Sequence, residues 1–175
     1  ALLFNVTGIF NKDVTVRKII FDKGNLNIRI DEDGEGNYKF WKTTNDTAKN
    51  GVIDLQKILL KDVDITYNDL KNSQHYNAFA HKAQLSGRFS SDEFTLTTSA
   101  NLFVSKLLVK NINYINQKEV EISSNLKVNT KTDLYKLENS SVKIADVKFD
   151  INGTVKAPSH SVFLDLDVKS NEADL

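Results

Sequence analysis

Alternation of apolar and polar residues is the feature that most limits what this chain can fold into. Leu26, Ile28 and Ile30 alternate with Asn27, Arg29 and Asp31, and Val63, Ile65 and Tyr67 with Asp64, Thr66 and Asn68. Leu126 and Val128 alternate with Lys127 and Asn129. Val162, Leu164, Leu166 and Val168 form another stripe, with Asp165 and Asp167 between its later members. Period two gives each strand one apolar and one wet face, and the 3.6 period of a helix is missing. Recurrent Val, Ile, Thr, Phe and Tyr suit the same pleated surface. The fold class expected is all-β: a curved antiparallel sheet or groove of repeating hairpin units, with short terminal helices at most. One such helix is expected from Ala1 to about Phe10. A second is conceivable around Asn50 to Lys57, where a strand is preferred.

Turn chemistry divides the strands. Asp33-Gly34-Glu35-Gly36-Asn37 reads as a tight reversal, its glycines supplying positive φ. Thr43 to Gly51 reads as a loop, and Tyr67 to Ser73 as another reversal. Asn116 to Lys118 and Asn152-Gly153 read as short connections.

A repeat runs through the same pattern. The segments Val16 to Leu26, Leu55 to Ile65 and Val104 to Tyr114 each start with an apolar residue and two polar ones. Three apolar residues, a polar pair and renewed alternation follow. In the second unit the apolar parity runs Ile58, Leu60, then Val63, Ile65, slipping by one residue at Lys61-Asp62. A slip in a period-two pattern turns side chains to the other face unless the backbone bulges there. The repeated slip therefore predicts a repeated bend, with Lys18, Lys57 and Lys106 at equivalent places. The two stripes Ile58, Leu60, Val63, Ile65 and Leu107, Val109, Ile112, Tyr114 should then share one apolar surface. Units that contact mainly their neighbours fit a sheet that grows by adding strands.

Composition narrows function. At 175 residues one domain, 1–175, is expected. With 23 Lys and Arg against 23 Asp and Glu there is no net charge, so no nucleic-acid partner is expected. The chain has no cysteine, which excludes disulfides and thiolate-bound zinc. It has no methionine either, and is expected to be a processed product or a fragment of a longer chain. No apolar run approaches the roughly 18 residues of a membrane-spanning helix.

Motifs for chemistry are lacking. His75, His81 and His160 have no metal-type spacing; His75 and His81 on one strand would lie about 20 Å apart. Asp31 to Gly36 resembles the start of a calcium loop, but its twelfth position is Lys42 and its flanks read as strands. Ser90 and Ser91 have no identifiable base, and no phosphate-binding or dinucleotide glycine pattern occurs. Asn-Xaa-Ser/Thr occurs at Asn5, Asn45, Asn139 and Asn152, as chance would place it in so Asn-rich a chain. No catalytic residue, metal ligand or cofactor is expected.

Val16 to Ile30 followed by Asp31-Glu32-Asp33-Gly34-Glu35-Gly36-Asn37-Tyr38 resembles the AsmA family of large envelope proteins of Gram-negative bacteria. The resemblance is carried by Lys18-Ile19, Asp22-Lys23-Gly24 and Asp33 to Asn37, then by Leu55 to Tyr67 and Ala83 to Phe89. Leu164 to Val168 with Asn171 to Leu175 resembles the family's strand leading into a helical segment. The resemblance implies a β-groove, phospholipid as partner, and a periplasmic location. It also implies anchoring to the inner membrane through an N-terminal helix that this stretch lacks. The candidate lipid-facing residues are Ile58, Leu60, Val63, Ile65, Leu107, Val109, Ile112 and Tyr114. The alternative is a β-sandwich with a closed core that binds a protein through a sheet edge. A carbohydrate-binding or hydrolytic β-domain is a weaker rival, since Trp41 and five tyrosines do not cluster.

Overall fold

A computed structural model of the chain describes residues 2–4, 16–37, 56–87, 92–158 and 161–170. Expectations that fall on other positions lie outside the described residues. They are the 43–51 loop, the end of the first helix, and readings at Trp41, Lys42, Asn5, Asn45, Ser90, Ser91, His160 and 171–175.

Every described regular element is a strand: β1 (Leu2–Phe4), β2 (Val16–Ile30), β3 (Lys57–Asp69), β4 (Gln74–Ser86), β5 (Glu93–Val109), β6 (Ile112–Asn129), β7 (Leu134–Ile144), β8 (Val147–Lys156) and β9 (Phe163–Ser170). They form one curved, unclosed sheet in chain order, and every substantial contact between elements joins sheet neighbours. Among the described residues no second layer covers either face. The start of the expected N-terminal helix is instead strand β1, paired antiparallel to β2.

All neighbours are antiparallel except β2 and β3, which run parallel. That exception sets the first two repeat units side by side in register, Lys18 beside Lys57 and Ile19 beside Ile58 through to Leu26 beside Ile65. The expected slip is there: Lys23 and Asp62 stand next to each other with φ of 57° and 52°. The left-handed residue absorbs the extra position, so Leu60 and Val63 reach the same face and pack in one cluster. The bend reaches β4, where the register to β5 shifts between Ala80 and Lys82.

The third unit departs from the expectation. Lys106 faces Asn77, which faces Thr66, so it sits far along the sheet from Lys18 and Lys57. Its polar pair, Lys110-Asn111, is not a bulge but a two-residue reversal joining β5 to β6, with φ of 46° and 66°. Two successive left-handed residues turn a chain back, whereas one only bends it.

Other connections need similar correction. Asn116 to Lys118 and Asn152-Gly153 are not turns but interior positions of β6 and β8, with Gln117 at φ 50° and Gly153 at φ 132°. The reversal expected over Tyr67 to Ser73 is shorter, because β3 continues to Asp69. The reversal read at Asp33 to Asn37 forms, starting from Asp31, and of its two glycines Gly34 has a positive φ, 93°, while Gly36 does not. Asp31 Oδ1 accepts the Glu35 N–H at 2.8 Å, and Asn37 docks on β2 through bonds to Arg29 and Asn27.

Candidate functional site

Facing residues in a ladder share a face, so the pairings trace rows across the sheet. Ile58, Leu85, Thr98 and Ser124 make one row, and Phe21, Leu60, Ala83, Ala100, Ile122, Val142 and Phe149 the next. Beyond the bulge follow Gly24, Val63, Ala80, Leu102, Val120, Ile144 and Val147. Then come Leu26, Ile65, Ala78 and Val104, and after them Ile28, Tyr67, Tyr76, Leu107 and Ile115. All lie on one face, which is predominantly apolar and is crossed by Thr98 and Ser124.

Its centre is built on small residues. Ala80 and Ala83 on β4, with Ala100 on β5, pack with Leu60 and Val63; Leu26, Ile58, Ile65, Leu102 and Ile122 close around them. Ala80 is 0% and Val63 1% exposed, and among the described residues it is side chains of the same sheet that pack around them. Short side chains beside long ones let the flanking strands' residues meet over the floor. That size pattern was legible in Tyr76-Asn77-Ala78-Phe79-Ala80 and its resumption at Ala83 and Leu85, yet alanine is too weakly apolar to register in an alternation dominated by Leu, Ile and Val.

The face has a polar rim at the β3–β4 reversal. Tyr67 and Tyr76 stack with ring centroids 5.1 Å apart. The Tyr76 hydroxyl bonds Gln74 Oε1 at 2.6 Å and the Tyr67 hydroxyl bonds Asp69 Oδ2 at 3.3 Å. Asp69 is buried and accepts both the backbone and the side-chain N–H of Asn72. Burial pushes its carboxyl pKa up, but these hydrogen bonds outweigh burial and hold it below the ordinary carboxylate value. Burial pushes the Tyr76 phenol up, and the nearby Asp69 charge adds to that. A second polar crossing, Ser124 Oγ to Ser140 Oγ at 2.9 Å, interrupts the face between β6 and β7.

The opposite face is wet over β6 to β8, while Leu59, Phe79 and Phe103 lie half-buried on it among β3 to β5. Lys127 and Lys136 both pair with Glu138 at 2.9 Å, and Lys148 pairs with Asp150 at 2.9 Å. The two lysines hold the Glu138 carboxyl below its usual range. His81, at the bulge, lies 3.6 Å from Glu119 and edge-on to Phe79, while His75 faces Asn68 and Leu108. A depression of about 400 Å³ is lined by Glu93, Thr95, Lys127, Asn129 and Lys136 together with the apolar Phe94, Val128 and Leu134. Its floor is the ladder itself, and Asn129 Nδ2 bonds Glu93 Oε1 at 2.6 Å. No group of three His, Asp or Glu side chains suited to a metal occurs among the described residues.

The first predicted stripe is assembled as read: Leu60 and Val63 are buried, Ile58 and Ile65 half-buried against them. The second stripe is split by the reversal. Leu107 and Val109 stay half-buried on β5 in the rows of Tyr76 and Gln74. Ile112 faces Val109 from β6 but is 57% exposed, and Tyr114, 63% exposed, falls at the irregularity where β6 has one residue more than β5. No described helix is long and apolar enough to cross a membrane. Comparison of the chain with protein-family models, curated proteins and solved structures finds no match.

Proposed function

We propose that this chain is a non-enzymatic, AsmA-like envelope module whose apolar sheet face shields or conducts phospholipid acyl chains. One observation carries the reading: a predominantly apolar face that runs from β2 to β9, crossed by the Ser124–Ser140 pair, and that no described element covers. A closed sandwich would need a second layer over the same rows. Each methylene removed from water contributes about 0.8 kcal/mol, so a shallow continuous surface holds an acyl chain without a sharp pocket. Weak, repeated contacts also let the chain slide, which transfer requires. The wet face keeps the module solvated, and the tyrosine rim offers hydroxyls where a headgroup meets water. The periplasmic location and the inner-membrane anchor rest on the family resemblance alone.

The test joins photo-crosslinking to a phospholipid analogue with native mass spectrometry for co-purified lipid. The parent protein should crosslink at the half-buried Ile58, Ile65, Leu107 and Val109. Ile65→Asp should lose the crosslink, while Ile112→Asp at the exposed rim should melt like the parent. A parent protein that neither crosslinks nor carries lipid sinks the proposal.

A further inference from the structure

The sheet has a step. One ladder row, Ile30, Asp69, Gln74, Val109 and Ile112, closes β2 to β6 at the end that carries the β3–β4 and β5–β6 reversals. β7 stops short of that row. Its last pair with β6 on this side is Val120–Ile144, and the Ala145 N–H then bonds the Glu119 carbonyl at 2.9 Å as the chain turns back. Among the described residues, β6 runs on from there to Ile112 paired with β5 alone, over roughly 20 Å. The β5–β6 hairpin is thus a corner of the sheet. Its turn is tied to the β3–β4 reversal by the Lys110 N–H, which bonds the Ser73 carbonyl at 2.9 Å.

Two properties coincide at this corner. Its apolar side chains are exposed: Ile112 and Tyr114 on the hairpin, and Leu70 on the neighbouring reversal. Its charge has one sign. From Phe94 to Lys118 the chain has no Asp or Glu, and its only charged residues there are Lys106, Lys110 and Lys118. Among the described residues none of the three reaches a carboxylate, whereas Lys127, Lys136, Lys143 and Lys148 on β6 to β8 all do. The acidic reversal Asp31 to Glu35 closes β2, four strands from β6 and roughly 19 Å away across the ladder. Lys71 belongs to that side, its Nζ donating to the Asp33 carbonyl at 3.2 Å.

We infer that this corner docks on the surface of an anionic phospholipid bilayer. Ile112 and Tyr114 enter the interface, and Lys106, Lys110 and Lys118 lie against lipid phosphates. Tyrosine suits that boundary because its ring is apolar and its hydroxyl stays wet. Lysine lays its stem along apolar surface while its ammonium reaches a phosphate. The mixture selects the occupant. A nucleic acid would engage the lysines but leave Ile112 in water, and a narrow corner offers little of the area that a stable protein interface buries. Docking needs only the tip, so the inference is independent of what the apolar face binds.

Vesicle co-sedimentation tests it, with vesicles of phosphatidylglycerol and phosphatidylcholine in equal parts beside vesicles of phosphatidylcholine alone. The parent should bind the anionic vesicles at least about tenfold more tightly and lose that preference at high salt. Ile112→Ser/Tyr114→Ser should weaken binding at least about tenfold. Lys106→Gln/Lys110→Gln/Lys118→Gln should remove the preference for anionic vesicles. Leu164→Ser/Val168→Ser, at side chains just as exposed on β9, should bind like the parent. Circular dichroism confirms that each variant is folded. A parent that does not bind vesicles, corner variants that bind like the parent, or a β9 control that weakens binding as much would each overturn the inference. So would self-association without vesicles that Ile112→Ser/Tyr114→Ser abolishes, which would give the corner to a second copy of the chain.

Discussion

Around β3 and β4 the side chains of the apolar face pack against one another; at β9 they stand exposed, although both regions carry the same alternation. Val63 and Ala80 are buried, whereas Leu164, 65% exposed, and Val168, 53% exposed, are not. Two differences account for this. A central strand has neighbours on both sides, and β4 offers alanines over which the longer side chains of β3 and β5 meet. At β9 no alanine intervenes between Phe163, Leu164, Leu166 and Val168, and only β8 is paired with it among the described residues. Among the described strands, mixed side-chain sizes on adjacent strands accompany burial, and alternation alone does not.

The comparison can be broken most directly by placing a charge in each region. Val63→Asp buries an unpaired carboxylate and should cost about 3 kcal/mol or more, seen as a large drop in the urea midpoint. Leu164→Asp should change stability by about 0.5 kcal/mol or less, a small shift of the same midpoint. Equal effects at the two sites would mean that the central cluster is not a core. A smaller and more local effect is expected from Gly153→Val. A Cβ at Gly153 would stand 2.1 Å from the Asp165 carbonyl oxygen and 2.8 Å from Leu166 Cα, and φ is 132°. The cost, about 1–3 kcal/mol, should fall on β9 alone. Hydrogen exchange should show lost protection over 163–170 with β3 to β5 unchanged.

The smallest effect is acid dependence at the rim. The Asp69 carboxyl titrates below its ordinary value of 3.8 in the folded chain, so the unfolded chain binds its proton first. Its contribution is complete above about pH 5 and is lost as pH falls through the folded value. Asp69→Asn should flatten the stability profile below pH 4, and an unchanged slope would remove Asp69 from the account.

The sequence made the strands, the one-sided face and the first bend legible because each follows from period two and its slip. It misled where one chemistry serves two geometries. Lys61-Asp62 and Lys110-Asn111 look alike, yet the first places one residue in the left-handed region and the second places two, bending one strand and ending another. Asn152-Gly153 has the letters of a hairpin turn, but its glycine is needed where the β9 backbone approaches. The parallel pairing of β2 with β3 has no signature in either strand alone; only the likeness of the two segments hints that they lie together. The central part of the candidate site was therefore readable, while its alanine floor and its loss of order past Val109 were not.

The single parallel ladder also divides the entropy of assembly unequally. β5 and β6 close over the two residues Lys110 and Asn111, and β7 and β8 over Ala145 and Asp146. Joining Lys18 to Lys57 must instead tether a segment more than ten times longer, at a loop-closure cost greater by roughly 2 kcal/mol. The strands from β3 onward are thus tied by local connections, and β2 is held by a long one. The match between its side chains and those of β3 has to offset that difference along its whole length.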